Sequence, residues 1–306
     1  MWEIENFGRG LFGGHMNIIN IFKINTGVIL KYFLSIWGAL SAITSLLLAF
    51  ISWDEFGITK LSHKILILIG MAVISVIAAV ITILLRKEKT IFGDINKGLS
   101  IKYDNIINLG FNNSGKSKKI IVIPVNRCFD LSCENNLVSE TSIHGQWINK
   151  YISTEDDRNE THNKIESILK EQNAEYVELL TNEKKGGYLK RYAPGTVVEL
   201  KGFNDVVFYL CAVSEFDSDL KAICTEVDYY KALQNLIEYY DAHGQCKDMY
   251  CPVIGDHIIR PTKPTDDILH FMVSVFKINK AKIHGKVHIV VYNKMKDSVS
   301  ILKYCD

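Results

Sequence analysis

The sequence has almost no net charge, few prolines and no compositional repeat. Its 35 basic and 34 acidic side chains leave a formal net charge of +1, which argues against a nucleic-acid binder that works through a broad basic field. Five prolines and twenty glycines without a period exclude a collagen-like or proline-rich chain. Because 48% of the residues are hydrophobic, the chain is also too apolar to be disordered.

Charge is scarce in the first third of the chain. Residues 1–90 carry 8 basic and 5 acidic side chains, whereas the remainder carries 27 and 29. Two runs in this third, Tyr32–Trp53 and Ile65–Leu85, have no charged residue. Each would be roughly 32 Å long as a helix, enough to cross a hydrocarbon core, and neither has the apolar stripe of a helix on a soluble core. We therefore predict a two-helix transmembrane hairpin; a buried helical hairpin is the alternative.

Basic residues flank this hairpin more densely than they occupy its connector. Two lysines precede the first run and three basic residues follow the second, while the two lysines of connector 54–64 lie beside two acidic residues. The positive-inside rule therefore favours both ends of the hairpin in the cytoplasm. We predict a two-pass protein of the cell inner membrane, with the hairpin at 31–88 and a cytoplasmic domain at 89–306. Residues 1–30 receive no assignment.

After the hairpin, apolar runs alternate with helical patterns. Lys119–Val125 and Val206–Ser214 are continuous runs rich in β-branched residues, as buried strands are. Thr225–His243 has a capping residue, one apolar face and Gly244 after its end, which predicts a helix. Further strands are predicted at 99–103, 248–254, 286–292 and 298–302, and further helices at 159–171 and at 265–277, the latter capped by Thr265. Alternation of this kind predicts an α/β domain with a largely parallel or mixed sheet.

Ligands of such sheets bind beyond the carboxyl ends of the strands, so the loops there contain the candidate contacts. Asp104, in the run Asp104-Asn105-Ile106, can accept a hydrogen bond from an exocyclic amine, or it can form an ordinary Asx turn. Asn126 can bind a ribose hydroxyl or turn the chain. Phe129 can stack on a ring or fill the core, and Asp130 follows it.

Two more loops carry small or polar residues. The run Ser142-Ile143-His144-Gly145 leads into a helix, where backbone amides can bind an anion or Ser142 can act as a cap. Gly255, followed by Asp256 and His257, lets a phosphate approach the backbone or merely permits a positive φ. The cysteines at 246 and 251 have histidines nearby, but their spacing fits no common zinc pattern, so we predict no metal site.

These segments together resemble a macro domain, the fold that holds ADP-ribose in a cleft over strand ends. The resemblance covers roughly residues 30–306 and is based on IKYDNII at 101–107, VIPVNRCFD at 122–130, SIHG at 142–145, APGTV at 193–197 and PVIGDH at 252–257. With the two preceding apolar runs, the chain is similar to the membrane–macro effectors of type II Thoeris antiphage defence. The implied fold is a macro-type mixed sheet sandwiched by helices and preceded by a transmembrane hairpin.

The resemblance also implies roles for individual residues. Asp104 would face the adenine, Asn126 and Asp130 would lie near the distal ribose and what it bears, and residues 142–145 and Gly255 would form opposite walls of a diphosphate cleft. Two positions depart from the family pattern, because Tyr103 and His257 stand where glycines are usual. The candidate ligand-binding residues are Asp104, Asn105, Ile106, Asn126, Phe129, Asp130, Ser142, Ile143, His144, Gly145, Gly195, Thr196, Gly255, Asp256 and His257.

The implied function is that of a membrane effector, not an enzyme, and it needs no cofactor. A TIR-domain partner would make a nucleotide-derived signal, histidine-linked ADP-ribose. The macro domain would bind it, and the hairpins of a homo-oligomer would then disrupt membrane lipid and cause abortive infection. Two alternatives remain at this stage. One is a membrane-anchored ADP-ribosyl hydrolase with Asp130 or His144 in the reaction, and the other is a scaffold that binds ADP-ribose on other proteins.

Overall fold

The computed structural model describes residues 17–112, 118–255 and 264–304, which form two compact units. The first unit combines the residues up to Lys89 with the segment that begins at Lys296, and the second unit is Thr90–Met295. The segment that begins at Lys296 thus packs with the hairpin. The domain boundaries predicted from the sequence, 31–88 and 89–306, stay a prediction.

The first unit is built on two long apolar helices, α1 (Ile18–Leu48) and α2 (Leu61–Leu85), which pack against each other. Both are long and apolar enough to cross a membrane, and the predicted helical hairpin is confirmed. Helix α1 begins well before the predicted start at Tyr32, because the Asn17 side chain caps it by accepting from the amides of Ile19 and Asn20.

Polar groups inside the hairpin are satisfied within their own helices. The hydroxyls of Thr44, Ser75 and Thr82 each donate to the carbonyl one turn earlier, at 2.8–2.9 Å. This arrangement suits apolar surroundings, in which an unpaired hydroxyl would be costly. Ser75 and Ala79 are fully buried, and small residues of this kind let helices approach closely.

The second unit is an α/β fold around one mixed sheet, as predicted. Its strands are β1 (Glu88–Gly93), β2 (Gly98–Asp104), β3 (Lys119–Asn126), β6 (Val197–Lys201), β7 (Val206–Phe216), β8 (Ala222–Ile223), β9 (Asp248–Pro252) and β10 (Lys286–Tyr292), and a separate ribbon pairs β4 (Tyr176–Glu178) with β5 (Lys190–Tyr192). The order in the main sheet is β1-β2-β10-β9-β3-β7-β6, with β8 beside β7. The five central strands, from β2 to β7, run parallel.

Helices cover both faces of this sheet. They are α3 (Ile106–Phe111), α4 (Ile143–Tyr151), α5 (Glu155–Glu171), α6 (Glu226–His243) and α7 (Thr265–Ile278), with short 3-10 turns at Glu134–Asn136, Lys280–Lys282, Asn293–Asp297 and Ile301–Lys303. Helix α4 packs on β3 and α6 packs on β7. Ile121, Ile123 and Val125 of β3 share a core with α4 and α5, and the intervening Ile120 and Val122 are equally buried. A strand buried on both faces explains the continuous apolar run in the sequence.

One predicted strand and one predicted helix cap are wrong. Residues 298–302 do not form a strand; Ser300 instead caps the 3-10 turn Ile301–Lys303 by accepting from the Leu302 amide. Thr265 does not cap α7 but is its first helical residue, because Pro264 occupies the cap position. The predicted cap of α6 is confirmed, since the Thr225 hydroxyl accepts from the Asp228 amide at 3.1 Å.

We expect residues 88–295 to fold without the hairpin, because this unit has its own core and a sheet covered on both faces. The fragment should be soluble and should unfold in one cooperative thermal transition, measured by circular dichroism together with its mass in solution. Aggregation without a cooperative transition would mean that the two apolar helices belong to its core. Full-length protein in detergent is the control.

Candidate ligand-binding site

Parallel strands bring several predicted residues to one edge of the sheet. Asp104 ends β2, Asn126 ends β3, and Gly255 follows β9 in the described chain. Strands β10 and β9 separate β2 from β3, so the ends of β2 and β3 are about 14 Å apart at the usual strand spacing. Along this edge the order is Asp104, then Gly255, then Asn126.

The residues at the end of β2 have separate partners. The carboxylate of Asp104 accepts from the Asn105 amide at 2.8 Å and lies 3.1 Å from the Lys102 ammonium, and its side chain is 31% exposed. Asn105 caps α3 through the amides of Ile107 and Asn108. Ile106 is buried in the core. Of these three predicted residues, Asp104 presents a partly exposed carboxylate at the edge, while the Asn105 Oδ1 caps a helix and Ile106 is buried.

Asn126 has one satisfied and one unsatisfied polar atom. Its side chain is buried, and its Oδ1 accepts from the amides of Cys128 at 3.0 Å and Asp130 at 3.3 Å. Its buried Nδ2 makes no hydrogen bond of normal geometry to the described residues, but the Asn126 side chain is close enough to the Asp130 carboxyl to lower the pKa of that group. The pairing of β3 with β7 is irregular at this residue, and such bulges often redirect a side chain at a functional edge. A buried amide donor without a partner suits a ligand oxygen.

Phe129 fills the core rather than standing free to stack on a ligand. Its ring is buried and meets Tyr192 edge-on at 5.7 Å between ring centroids. Its backbone φ of 54° is unusual for a bulky residue. The turn after Asn126 is therefore strained, and the hydrogen bonds to the Asn126 Oδ1 hold it in this conformation.

Asp130 is the anchor of the loop that contains Lys184. The Lys184 ammonium lies 2.7 Å from the Asp130 carboxylate, and both side chains are fully buried. The Tyr188 amide donates to the other carboxylate oxygen at 2.7 Å. At Gly187, whose φ is 72°, an added Cβ would lie 2.1 Å from that oxygen. Burial raises the pKa of Asp130, and the Lys184 ammonium opposes this rise.

The Ser142–Gly145 run forms the start of α4, and Ser142 is its cap, which is one of the two roles predicted for this run. Ser142 is the cap, accepting from the Gly145 amide at 3.0 Å and donating to the Ser139 carbonyl at 2.7 Å. Ile143 packs partly buried against the core. A Cβ on Gly145 would lie 2.2 Å from the Ser139 carbonyl oxygen, so this glycine is needed for packing.

His144 is a buried, neutral imidazole. Burial lowers its pKa to about 3, with a small opposing effect from the Asp130 carbonyl. Its Nε2 is buried without a hydrogen-bond partner among the described residues. Asn126 and His144, each with one buried nitrogen that makes no hydrogen bond of normal geometry to the described residues, both interact with Asp130.

Gly195 and Thr196 face a helix. An added Cβ on Gly195 would lie 2.6 Å from the Asn235 side chain and 2.8 Å from Ala232, both on α6. The Thr196 hydroxyl donates to the Ala193 carbonyl at 2.8 Å. These contacts of Gly195 and Thr196 are structural. They do not place either residue against Asp104 or Asn126.

Gly255 has a φ of 93°, a conformation that favours glycine. The preceding residue is held in place, because the Tyr229 hydroxyl donates to the Ile254 carbonyl at 2.8 Å and the Ile254 amide approaches the Met272 sulfur at 3.4 Å. Asp256 and His257 lie outside the described residues.

A cavity of about 310 Å³ opens at the carboxyl end of β3, a size at the lower end of small-molecule sites. Of the described predicted residues, only Asp130 lines it. Arg158 contributes a buried Nε without a hydrogen-bond partner among the described residues. The lining residues are Asp130, Leu131, Ser132, Glu134, Asn135, Leu137, Arg158, Lys185, Gly186, Gly187, Tyr188 and Leu220.

Sequence reasoning missed the loop that closes this cavity. The Gly186-Gly187 pair is a turn signal that could have located it. Nothing in the sequence distinguishes the buried Lys184 from the exposed Lys185, because the difference depends on the distant Asp130. Among the described residues, no group of three potential metal ligands comes together.

We expect Lys184→Met to destabilise the 88–295 fragment by about 3–5 kcal/mol, because it leaves the Asp130 carboxylate buried without its counter-ion. The loss should be larger at pH 7 than at pH 5. The pKa of Asp130 rises further without Lys184, and a carboxyl with a raised folded pKa loses stability as the pH increases above its unfolded pKa. Urea unfolding at both pH values measures this.

Lys185→Met is the matched control, since the Lys185 side chain is 61% exposed and pairs with an exposed Asp219. Its free energy of unfolding should be little changed. Equal losses in the two variants would contradict the anchoring role of Asp130.

Comparison with known proteins is consistent with this geometry. A family model described as "Thoeris protein ThsA, Macro domain" matches residues 99–292. A relative named Thoeris protein ThsA, from Bacillus amyloliquefaciens (strain Y2), is 26% identical over 245 residues, which cover 78% of this chain and 77% of that protein. The matched residues run from β2 to β10 and include every predicted site residue, so the chain belongs to the family of ThsA macro-domain proteins of Thoeris.

Proposed function

We propose that this protein is a membrane effector of Thoeris antiphage defence, whose macro domain binds an ADP-ribose-type signal made by a TIR-domain partner. The observation that carries the proposal is the buried, unpartnered Nδ2 of Asn126 at the irregular end of β3. An amide donor held in this way by two backbone hydrogen bonds is ready to bind a ligand oxygen without further ordering.

The order of groups along the sheet edge supports a nucleotide diphosphate. Asp104 lies at one end and can accept from the adenine amine. Gly255 lies between, where the absence of a Cβ lets phosphate oxygens approach the backbone. Asn126 lies at the other end, where its Nδ2 can donate to a ribose hydroxyl. The separation of about 14 Å between the two outer strands favours an elongated ligand over a single ring.

The cavity beyond Asn126 supports a signal that carries a further group on its distal ribose. Tyr188 offers an aromatic wall, and Arg158 offers a buried Nε–H donor, while its two terminal nitrogens pair with Glu134 and Glu155. These groups suit an imidazole with an attached carboxylate. We therefore propose histidine-linked ADP-ribose as the ligand, with its amino-acid part in the cavity.

Binding rather than hydrolysis is the activity that we propose for the site. The Asp130 carboxylate is fully occupied by Lys184 and the Tyr188 amide, so it is not free to activate water. His144 has a pKa of about 3 because of burial, far below the value that a general base needs near neutral pH. Neither residue considered for a hydrolase is thus suited to that role.

The hairpin supplies the membrane part of the proposal. Helices α1 and α2 would be about 46 Å and 37 Å long from their 31 and 25 residues, and both exceed a hydrocarbon core of about 30 Å. The excess of basic residues outside the connector favours a cytoplasmic macro domain at the inner membrane. Two spans per chain cannot enclose a pore, so membrane disruption and abortive infection would require a homo-oligomer in contact with lipid.

We expect Asn126→Asp to abolish binding of histidine-linked ADP-ribose to the 88–295 fragment. The substitution keeps the Oδ1 acceptor for the two turn amides but replaces the Nδ2 donor with a second acceptor. Calorimetric titration with histidine-linked ADP-ribose, plain ADP-ribose and NAD measures the effect. We expect the wild-type fragment to prefer the first compound without converting it.

Asn159→Asp, an exposed change of the same kind on α5, is the control and should bind as wild type does. Wild-type affinity in Asn126→Asp would refute the assignment of this residue. Equal affinity of the wild-type fragment for plain ADP-ribose would favour the scaffold, and slow turnover would favour the hydrolase.

Arg158→Met should separate recognition of the added group from recognition of the nucleotide. We expect about tenfold weaker binding of histidine-linked ADP-ribose, as for loss of a hydrogen bond to a charged group, with unchanged binding of plain ADP-ribose. The same titration measures both. Lys164→Met, on an exposed side of the same helix, is the control, and equal losses for both ligands would contradict the proposed position of the histidine part.

A further inference from the structure

The segment 296–304 forms part of the hairpin unit, although it follows the last strand of the macro domain. It begins within the 3-10 turn Asn293–Asp297 that leaves β10, and it continues into the turn Ile301–Lys303, which packs against α1. Val299, Ser300, Ile301 and Leu302 are all buried. The sequence predicts a strand at 298–302, but the chain instead forms the 3-10 turn Ile301–Lys303 against α1.

Two neighbouring charged residues of this segment lie at helix ends whose partial charge is opposite to their own. The Lys296 ammonium donates to the Leu84 carbonyl at 2.6 Å, one of the last carbonyls of α2, which have no partner within the helix. The Asp297 carboxylate accepts from the Asn17 amide at 3.2 Å, at the start of α1. A cation at a helix carboxyl end and an anion at an amino end are both favourable. One dipeptide therefore joins the start of α1 to the end of α2.

A buried hydrogen bond fixes the same segment farther along α1. The Ser300 hydroxyl donates to the Asn25 Oδ1 at 2.5 Å, and the Asn25 Nδ2 donates to the Ile21 carbonyl at 2.8 Å. Ile21 and Asn25 are among the few buried residues of α1. With about 46 Å of helix and a hydrocarbon core of about 30 Å, α1 has a turn or more beyond the membrane for this contact.

The chain also connects this segment to the proposed ligand edge. Tyr292, the last residue of β10, is paired in register with Asp104. Lys296 follows Tyr292 by a single 3-10 turn. A ligand that shifts the end of β10 next to Asp104 therefore acts on the residues directly preceding those that hold the hairpin.

We propose that residues 296–304 are a clasp that holds α1 and α2 in an inactive arrangement and that is released when the signal binds at the sheet edge. This inference rests on the proposed function of the macro domain. The clasp is hydrogen-bonded to the buried Asn25 of α1, so this face of α1 becomes available to a second copy only after release. For the signal to act, it must bind the released form more tightly than the clasped form.

The test uses full-length protein in dye-loaded vesicles of phosphatidylethanolamine and phosphatidylglycerol, with histidine-linked ADP-ribose as the probe. Ser300→Ala leaves the Asn25 Oδ1 buried without its donor, which weakens the clasp. We expect it to leak dye about tenfold faster than wild type without signal. Lys294→Met, an exposed change in the preceding turn Asn293–Asp297, should behave as wild type.

The double variant Asn25→Leu/Ser300→Ala is the sharper control. Replacing both partners by apolar groups removes the unsatisfied oxygen, and such exchanges are often close to neutral. We therefore expect it to restore low leakage without signal. Asn25→Cys/Ser300→Cys, in a background with Cys246→Ser and Cys305→Ser, should form a disulfide that prevents signal-induced leakage until a reductant is added.

Signal-free leakage of Ser300→Ala equal to that of wild type would overturn the clasp, as would full signal response of the disulfide-linked protein. Failure of the proposed function gives a different result, because the wild-type protein would then not respond to the signal at all. In that case, dye leakage from vesicles with Ser300→Ala in the absence of signal would still test whether the clasp restrains the hairpin.

Discussion

The buried ion pair between Asp130 and Lys184 is the interaction on which the rest of the candidate site depends. Asp130 lies four residues after Asn126, and its own amide donates to the Asn126 side chain. Its carboxylate holds Lys184 and the Tyr188 amide, so one residue fixes both the turn after β3 and the opposite wall of the cavity. A buried charge pair of this kind adds little net stability compared with apolar residues. The pair does fix the relative position of the turn that contains Asp130 and the loop that contains Lys184. Any other arrangement of these two loops would leave one of the two charges buried without its partner.

Many polar residues at strand ends build the site rather than contact a ligand. Asn105 and Ser142 cap helices, and Gly145 and Gly195 permit close packing. The hydrogen bonds seen for the Asn105 and Ser142 side chains all serve these structural roles or the turn before α4. Asn126 differs, because its oxygen completes the turn while its nitrogen has no described partner. Residues that both order the backbone and keep one group unsatisfied are the best candidates for ligand contacts, since the fold already holds that group in position.

The sequence predicts best the elements whose pattern depends on local or uniform surroundings. Strands β3 and β7 are buried on both faces, so their composition alone identifies them, and α6 carries its own capping residue. The segment 298–302 was predicted wrongly because its conformation depends on a distant partner. Ser300 and Asn25 are buried against each other, and neither residue reveals this contact locally. The same holds for Lys184, which its sequence neighbour Lys185 matches in every respect except burial.

Strand order gives the macro fold a direct connection to the hairpin. Asp104 ends β2, which follows α2 through the short strand β1, and it pairs with Tyr292 at the end of β10. The macro domain joins the hairpin unit at two points of the chain, one leading through β1 to β2 and one leaving β10, and β2 and β10 pair at Asp104. A ligand bound at both Asp104 and Asn126, as proposed, would span β10 and β9, and β10 is the strand continuous with Lys296 and Asp297. Coupling of this kind needs no long relay of side chains, because the covalent chain itself joins the binding edge to the helix ends.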